Sequence, residues 1–287
     1  MLHSKEIKDL IGSGNLENIE LAFTLIKSQG YDMEYFLKPY RILFNFGSEP
    51  IEPEWLALQI NSSIMLTLSD RNLEELPEEI GYFSKLSVLW LNSNKLNSLP
   101  ESFSKLKNLS GLHLGGNCFK EIPKEIFELE NLSSLSLLGN EIEFVDNEIS
   151  KLKNLESLSL RACEIHKIPL ELCSLKNLKK LDLGENHLSF LPDCIHQLFE
   201  LSGLDLDNND IISLPDNFGN LTKLSKLDLS NNKRLTHLPI SFKALKNLTS
   251  LKVSNCPISI IELSVLMPQT GDMGIKKATH CAALNII

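Results

Sequence analysis

No stretch of this chain comes near the ~18 uninterrupted apolar residues that a membrane-crossing helix needs, so a helical span is not expected. The opening residues, MLHSKEIKDLIGSG, lack the long apolar run of a secretory leader. Positive charge is the minority sign: 28 Lys and Arg stand against 37 Asp and Glu, a net charge of -9. That balance argues against nucleic acid or an anionic membrane surface as a partner. Catalytic signatures are missing as well. There is no G-x-x-x-x-G-K, H-E-x-x-H or G-x-S-x-G, and the Gly12-Ser13-Gly14 run lacks a phosphate-loop lysine. No enzyme activity, no cofactor and no metal site is therefore expected. Six cysteines (Cys118, Cys163, Cys173, Cys194, Cys256, Cys281) are scattered without metal-ligand spacing such as C-x-x-C. They read as buried free thiols in a reducing cytoplasm, with an extracytoplasmic location left open.

What is present is a period. A 23-residue unit, L-x-x-L-x-L-x-x-N-x-L-x-x-L-P-x-x-I-x-x-L-x-N, recurs eight times in succession. Its cleanest copy is Leu86 to Asn108, LSVLWLNSNKLNSLPESFSKLKN. Copies start at Ser63, Leu86, Leu109, Leu132, Leu155, Leu178, Leu201 and Leu224, and an incomplete ninth starts at Leu248. Spacing this regular marks a solenoid, in which no unit buries its apolar face without neighbours.

Within a unit, Leu89 and Leu91 alternate at period two, which predicts a short strand with one buried face. A strand returning once per unit in one direction must pair in parallel with the strand before it. Leu96, Leu99, Phe103 and Leu106 then follow at wider spacings, suited to an irregular or 3₁₀ return along the outside. Proline at position fifteen (Pro77, Pro100, Pro123, Pro169, Pro192, Pro215, Pro239) fits where the chain leaves strand pairing. Position nine is asparagine in six copies (Asn94, Asn117, Asn140, Asn186, Asn209, Asn232), an amide able to fill backbone donors and acceptors left by the bend. Cys163 and Cys256 replace it in two copies, and Arg71 in the first, where a distorted or exposed turn is expected. Asp146 replaces the proline of the copy from Leu132, and an extra residue near Lys233-Arg234-Leu235 predicts a small bulge.

These residues resemble the leucine-rich repeat family over about two-thirds of the chain. The Leu-Pro step and unit length are most similar to the intracellular repeats of Ras-group scaffolds and their bacterial relatives. The resemblance implies an α/β fold: a curved right-handed solenoid with its parallel sheet on the concave face. It also implies a protein-binding role, and the cysteine-rich caps of many secreted relatives are missing here.

Three regions are expected: an N-terminal helical cap (1–62), the solenoid (63–267) and a C-terminal tail (268–287). In the cap, Asn15 should open a helix from Leu16 to about Ser28 closed by Gly30. Asp32 should open a second, disturbed at Pro39, and Pro53 with Trp55 a third. After Cys256 the pattern decays into PISIIELSVLMP, read as a helix, and a tail without a polar capping repeat. An uncovered parallel edge invites self-association, which puts a homodimer through the C-terminal end among the expected partners.

The outward residues of each strand form columns. Position five reads Thr67, Trp90, His113, Ser136, Ser159, Asp182, Asp205, Asp228, Lys252. Position seven reads Ser69, Asn92, Gly115, Leu138, Arg161, Gly184, Asp207, Ser230, Ser254. Position three begins with Met65 and Val88 and carries Lys180 and Lys226. The candidate partner-binding set is Trp90, His113, Leu138, Arg161, Asp182, Asp205, Asp207 and Asp228. An outward tryptophan has no core to fill and suits an interface anchor, or else packs on the cap. Stacked aspartates suit a basic or extended protein segment, although L-D-L is also common wording for such strands. Arg161 is expected to bind a partner carboxylate or to pair with Glu156 or Glu185. His113 and Cys118 share a unit, but position ten lies past the strand, which argues against a nucleophile and base pair. The reading is a non-enzymatic scaffold that recognises a protein through the concave face. The alternatives are the recognition or adaptor half of an enzyme system, and an element that polymerises end to end.

Overall fold

The computed structural model describes residues 4–259 and Leu266. Nine three-residue strands form one parallel sheet in chain order: β1 (Met65–Thr67), β2 (Val88–Trp90), β3 (Gly111–His113), β4 (Ser134–Ser136), β5 (Ser157–Ser159), β6 (Lys180–Asp182), β7 (Gly203–Asp205), β8 (Lys226–Asp228) and β9 (Ser250–Lys252). Register follows the repeat. Leu66 pairs with Leu89 and Leu89 with Leu112, and the one-residue insertion shifts only the last step, Leu227 to Leu251. The insertion is absorbed as a turn at Lys233 and Arg234, after the strand has ended.

The period-two leucines behave as their alternation demands. Leu89, Leu91, Leu112 and Leu114 are fully buried, while the residues between them face outward. Each return passes through a short 3₁₀ helix, such as Glu101–Lys105 or Leu170–Ser174. Its buried residue (Ile80, Phe103, Ile126, Ile149, Leu172, Ile195, Phe218, Phe242) closes the core from the outside. Position fifteen proves to be the N-cap of this helix in every return but Phe218–Asn220, which Asn217 caps, with Pro100 at ψ 152°, so proline's missing amide falls where no helical acceptor exists. Asp146 does the same work by another chemistry: its carboxylate accepts from the Glu148 amide at 2.7 Å.

The asparagine column runs along the inside of the turns. Asn117 donates through Nδ2 to the carbonyls of Leu91 and Leu114, both at 2.9 Å, and accepts at Oδ1 from the Leu96 amide at 3.0 Å. Each amide thereby joins its own turn to the preceding one. The cysteine copies keep only part of this network, Cys163 donating to Leu137 O at 3.5 Å and Cys256 to Leu229 O at 2.9 Å. The asparagine that ends the repeat, at position twenty-three, forms a second column whose role was not foreseen. Asn108, Asn131, Asn154 and Asn177 each donate to a carbonyl of the preceding unit. Position eight is left-handed in every copy, from Asp70 (φ 59°) through Ser93, Gly116, Gly139, Ala162, Glu185 and Asn208 to Asn255 (φ 60°). Most of these residue types tolerate that region; Ala162 and Glu185 do not favour it, which hid the rule in the sequence.

Four helices precede the sheet, one more than expected: α1 (Ser4–Gly12), α2 (Leu16–Ser28), α3 (Met33–Phe44) and α4 (Pro53–Ser62). The extra one is α1, short but amphipathic, with Ile7 and Ile11 buried and Leu10 packed beside them. The caps on Asn15 and Asp32 are as expected. Helix α3 runs straight through Pro39, which is not its end. Phe44 of α3 touches Trp55 and Phe83, joining the cap's core to that of the first unit. Lys8 pairs with the buried Glu79 at 2.8 Å, and the Tyr82 hydroxyl donates to Asp9 at 3.0 Å. Arg71 refines an expectation. The expected departure is there, since Asn72 is a second left-handed residue in this turn (φ 54°) and Arg71 is half-buried where the asparagines are buried. What the expectation missed is that the backbone amide still donates to Asn94 Oδ1 at 3.0 Å. Its guanidinium donates to the Ile42 and Leu43 carbonyls, among the orphan acceptors ending α3. The arginine takes over position nine where the neighbour is a helix end instead of another turn.

The cysteines also correct the sequence reading. Cys173 and Cys194 form a disulfide; Cys118 is exposed, and of the other described thiols only Cys163 is buried. The pair joins position nineteen of one unit to position seventeen of the next, two sites that the 3₁₀ returns bring together. It removes the free-thiol ground for a reducing compartment, since such bonds persist in oxidising ones. The first three residues of the expected helix after Cys256, 257–259, are not helical; the rest of it, the tail with Cys281 and the proposed C-terminal dimer contact lie outside the described residues, apart from Leu266.

Candidate protein-binding face

Of the predicted site residues, Trp90, His113, Leu138 and Asp205 have no ion pair within the described residues, while Arg161, Asp182, Asp207 and Asp228 are engaged in them. Trp90 is half-buried and stacks on His113 of the next strand, with ring centroids 5.8 Å apart and planes 6° from parallel. In-register pairing places the two rings one above the other. Partial burial holds the imidazole below its ordinary pKa, which keeps it neutral and lets it stack as an aromatic surface. Beside them Met65 is 60% exposed and Ile64 57% exposed, with Val88 half-buried. The first strands therefore present apolar and aromatic surface to solvent. Leu138, 45% exposed, leans over Gly115, where an added Cβ would meet it at 3.1 Å.

The middle of the face is a charge lock. Arg161 forks onto both oxygens of Asp207, Nη1 to Oδ1 and Nη2 to Oδ2, each at 2.8 Å. The same guanidinium reaches Glu185 at 2.7 Å and Asp182 at 3.4 Å. Asp207 is 8% exposed, and the bonds from Arg161 hold its carboxyl below the usual range. Asp207 is thus committed inside the chain and is not a free contact. Of the expected partners of Arg161, Glu185 is the one it pairs with, Asp207 was not foreseen, and Glu156 takes Lys179 at 2.8 Å. The fork spans two units because position seven between its ends is Gly184. A Cβ there would lie 2.2 Å from Arg161 Nη1 and 2.6 Å from Asp207 Oδ1. Arg, Gly and Asp at matching positions of three successive units were visible as letters; that the first reaches over the second was not.

The aspartates of position five do stack, since Asp182 pairs in register with Asp205 and Asp205 with Asp228. Their fates differ. Asp182 receives Arg161 and the Ser159 hydroxyl, and Asp228 receives Lys252 at 2.8 Å. Neither Lys180 nor Lys226 forms an ion pair among the described residues. Asp205 is exposed and has no ion-pair partner among them. Its carboxyl is raised above 3.8, first by partial desolvation and then by Asp182 and Asp228 on either side.

A raised folded-state carboxyl destabilises the fold while it is ionised, and the penalty vanishes as pH falls through that pKa. Asp205→Asn should therefore raise the melting temperature slightly at neutral pH, by no more than about 0.5 kcal/mol because solvent screens most of the effect. Near pH 3 the variant and the parent should melt together. A lower melting temperature for Asp205→Asn at neutral pH would remove the repulsion argument.

Comparison with known proteins follows the geometry. The family description "leucine-rich repeat region" matches residues 65–167 and 145–265. A leucine-rich repeat protein of Leptospira interrogans is 40% identical and superposes with a TM-score of 0.68, over 71% of this chain and 53% of that one. The chain thus spans about half the length of that relative. The leucine-rich repeat ectodomain of the Arabidopsis thaliana receptor kinase GASSHO1/SCHENGEN3, in complex with Casparian strip integrity factor 2, is 31% identical (TM-score 0.59; 64% of this chain, 23% of that one). That of the Arabidopsis receptor kinase HAESA, in complex with an N-terminally extended IDA peptide hormone ligand, is 29% identical (TM-score 0.58; 67% and 34%). A search of curated proteins returned no match. No helix among the described residues is long and apolar enough to cross a membrane. Repeat length, register, asparagine column and sequence match agree: this chain belongs to the leucine-rich repeat family.

Proposed function

We propose that the chain is a non-enzymatic module that holds a protein partner against the concave strand face. The cap (1–62) and tail (268–287) are then accessory to the recognition surface of 63–267. The observation that carries the reading is the Trp90–His113 stack, a half-buried aromatic pair on a sheet face with no core beneath it to fill. Aromatic side chains so placed are favoured as interface anchors. Asp205, without an ion-pair partner among the described residues, supports a partner with basic character, and the complexes of the two plant ectodomains support a protein or peptide as the kind of ligand. Leu138, Asp182 and Asp228 border the contact, while Arg161 and Asp207 brace its floor. The negative net charge supports a protein over nucleic acid or membrane as the partner. A cytoplasmic setting is no longer favoured by cysteine chemistry, because Cys173 and Cys194 are paired.

Affinity purification from the native host with mass spectrometry should recover a partner with the parent chain. Trp90→Ala combined with Asp205→Lys should abolish that capture while the chain stays cooperatively folded, as its thermal melt would show. Capture that survives both changes refutes concave recognition. Co-recovery of a catalytic protein that needs this chain for its substrate would assign the module to an enzyme system as its adaptor.

A further inference from the structure

The two ends of the strand face differ in chemistry, and their separation is set by the sheet. Trp90 lies on β2 and Asp205 on β7, in the same column. Five strand steps at about 4.8 Å give roughly 24 Å between them, less at the tips of side chains on a concave face. Between them the column holds His113, Ser136, Ser159 and Asp182. The two serines are small and half-buried, and Asp182 is engaged with Arg161 and Ser159. The floor is therefore low in the middle, with an aromatic wall at one end and a single uncompensated carboxylate near the other.

Resting on the concave-face reading above, we propose that the occupant is an extended protein segment running across the strands. It places an aromatic or large aliphatic residue against Met65, Val88 and Trp90 and a lysine or arginine on Asp205, about seven residues apart at ~3.4 Å per residue. Charge complementarity selects this occupant. Arg161 serves Asp207 and Asp182, and Lys252 serves Asp228, whereas Asp205 has no ion-pair partner among the described residues, Lys180 and Lys226 of the neighbouring column making none with it. The small serines of position five between the two ends leave room for a backbone to meet the hydroxyls of Ser136 and Ser159. A cation on Asp205 would also relieve its repulsion by Asp182 and Asp228, a gain realised only on binding.

The test uses the full chain and a random displayed-peptide library about a dozen or more residues long, enough to span the two contacts. Selected peptides should be enriched in an aromatic or aliphatic residue and a Lys or Arg six to eight positions apart, and should bind about tenfold or more weaker to Trp90→Ala and to Asp205→Lys. Replacing the peptide's basic residue by Glu should restore binding to Asp205→Lys. Peptides that depend on Trp90 but show no spaced basic residue overturn this register and leave concave recognition standing. Peptides indifferent to both substitutions overturn both readings, as does a library that yields no binder while partner capture is likewise insensitive to them. Light scattering on the parent closes the remaining case: a dimer lost on Trp90→Ala would give the face to a second copy and overturn the proposal.

Discussion

Asn209→Ala should be among the most destabilising single substitutions in this chain, by about 3–5 kcal/mol. The Asn209 amide donates to Leu183 O at 2.9 Å, Leu206 O at 3.1 Å and Asp207 O at 3.2 Å, and accepts from the Leu188 amide at 2.9 Å. The residue is 6% exposed, so water cannot replace what is removed. Each buried group left unpaired costs about 1–3 kcal/mol. The damage should also change the form of unfolding. A solenoid is stabilised by nearest-neighbour contacts, and this residue joins the unit from Leu178 to the unit from Leu201. Urea titration should show a broader transition or two transitions, where the parent shows one. Asn209→Cys should cost roughly half as much, because Cys163 and Cys256 show that a thiol keeps part of the donor role at the same position. A cost below about 1 kcal/mol for the alanine variant would mean that the column is not what ties the turns together.

Gly219→Ala should lower stability by about 3 kcal/mol or more, for a steric reason alone. The added Cβ would sit 1.8 Å from the carbonyl oxygen of Ser241 and 2.4 Å from its carbonyl carbon. Both are backbone atoms, so no rotamer change relieves the overlap and the return helices Phe218–Asn220 and Ile240–Ala244 must separate. Their closeness is also seen in the Gly219 amide, which donates to Ser241 Oγ at 3.1 Å. Gly81→Ala faces a milder version, with Ser102 Cβ at 2.6 Å and Ser102 O at 2.7 Å, and should cost less. Denaturant midpoints of the two variants check both the size and the order. Wild-type stability for Gly219→Ala would show that the convex side is looser than these distances imply.

These two sites share a geometry with the disulfide. Gly219 and Ser241, Gly81 and Ser102, and Cys173 and Cys194 each pair position nineteen of one unit with position seventeen of the next. The cysteine spacing was on view in the sequence, and so was the period. What the letters lacked was the knowledge that two residues short of one period marks a contact on the convex side. The cap shows a similar split. Asn15 and Asp32 announce their helices through capping chemistry that is local, whereas α1 has no side-chain cap signal and depends on contacts such as Lys8–Glu79. Arg71 looked like a defect in the asparagine column because its partners, the end carbonyls of α3, are distant in the chain.

Leucine alternation, the asparagine column and the period are properties of each unit that repeat with it. By themselves they determine a parallel stack with positions three, five and seven facing outward, because only that arrangement buries the leucines of the repeat positions at once. Which outward residues remain available to a partner was decided by the tertiary structure. Arg161 reaches Asp207 across Gly184, Lys252 reaches Asp228, and Asp205 is left without an ion-pair partner among the described residues. Side chains from units far apart in sequence lie about 5–10 Å apart once strands stack, and at that range charge pairing follows reach and direction, which a column of letters does not contain.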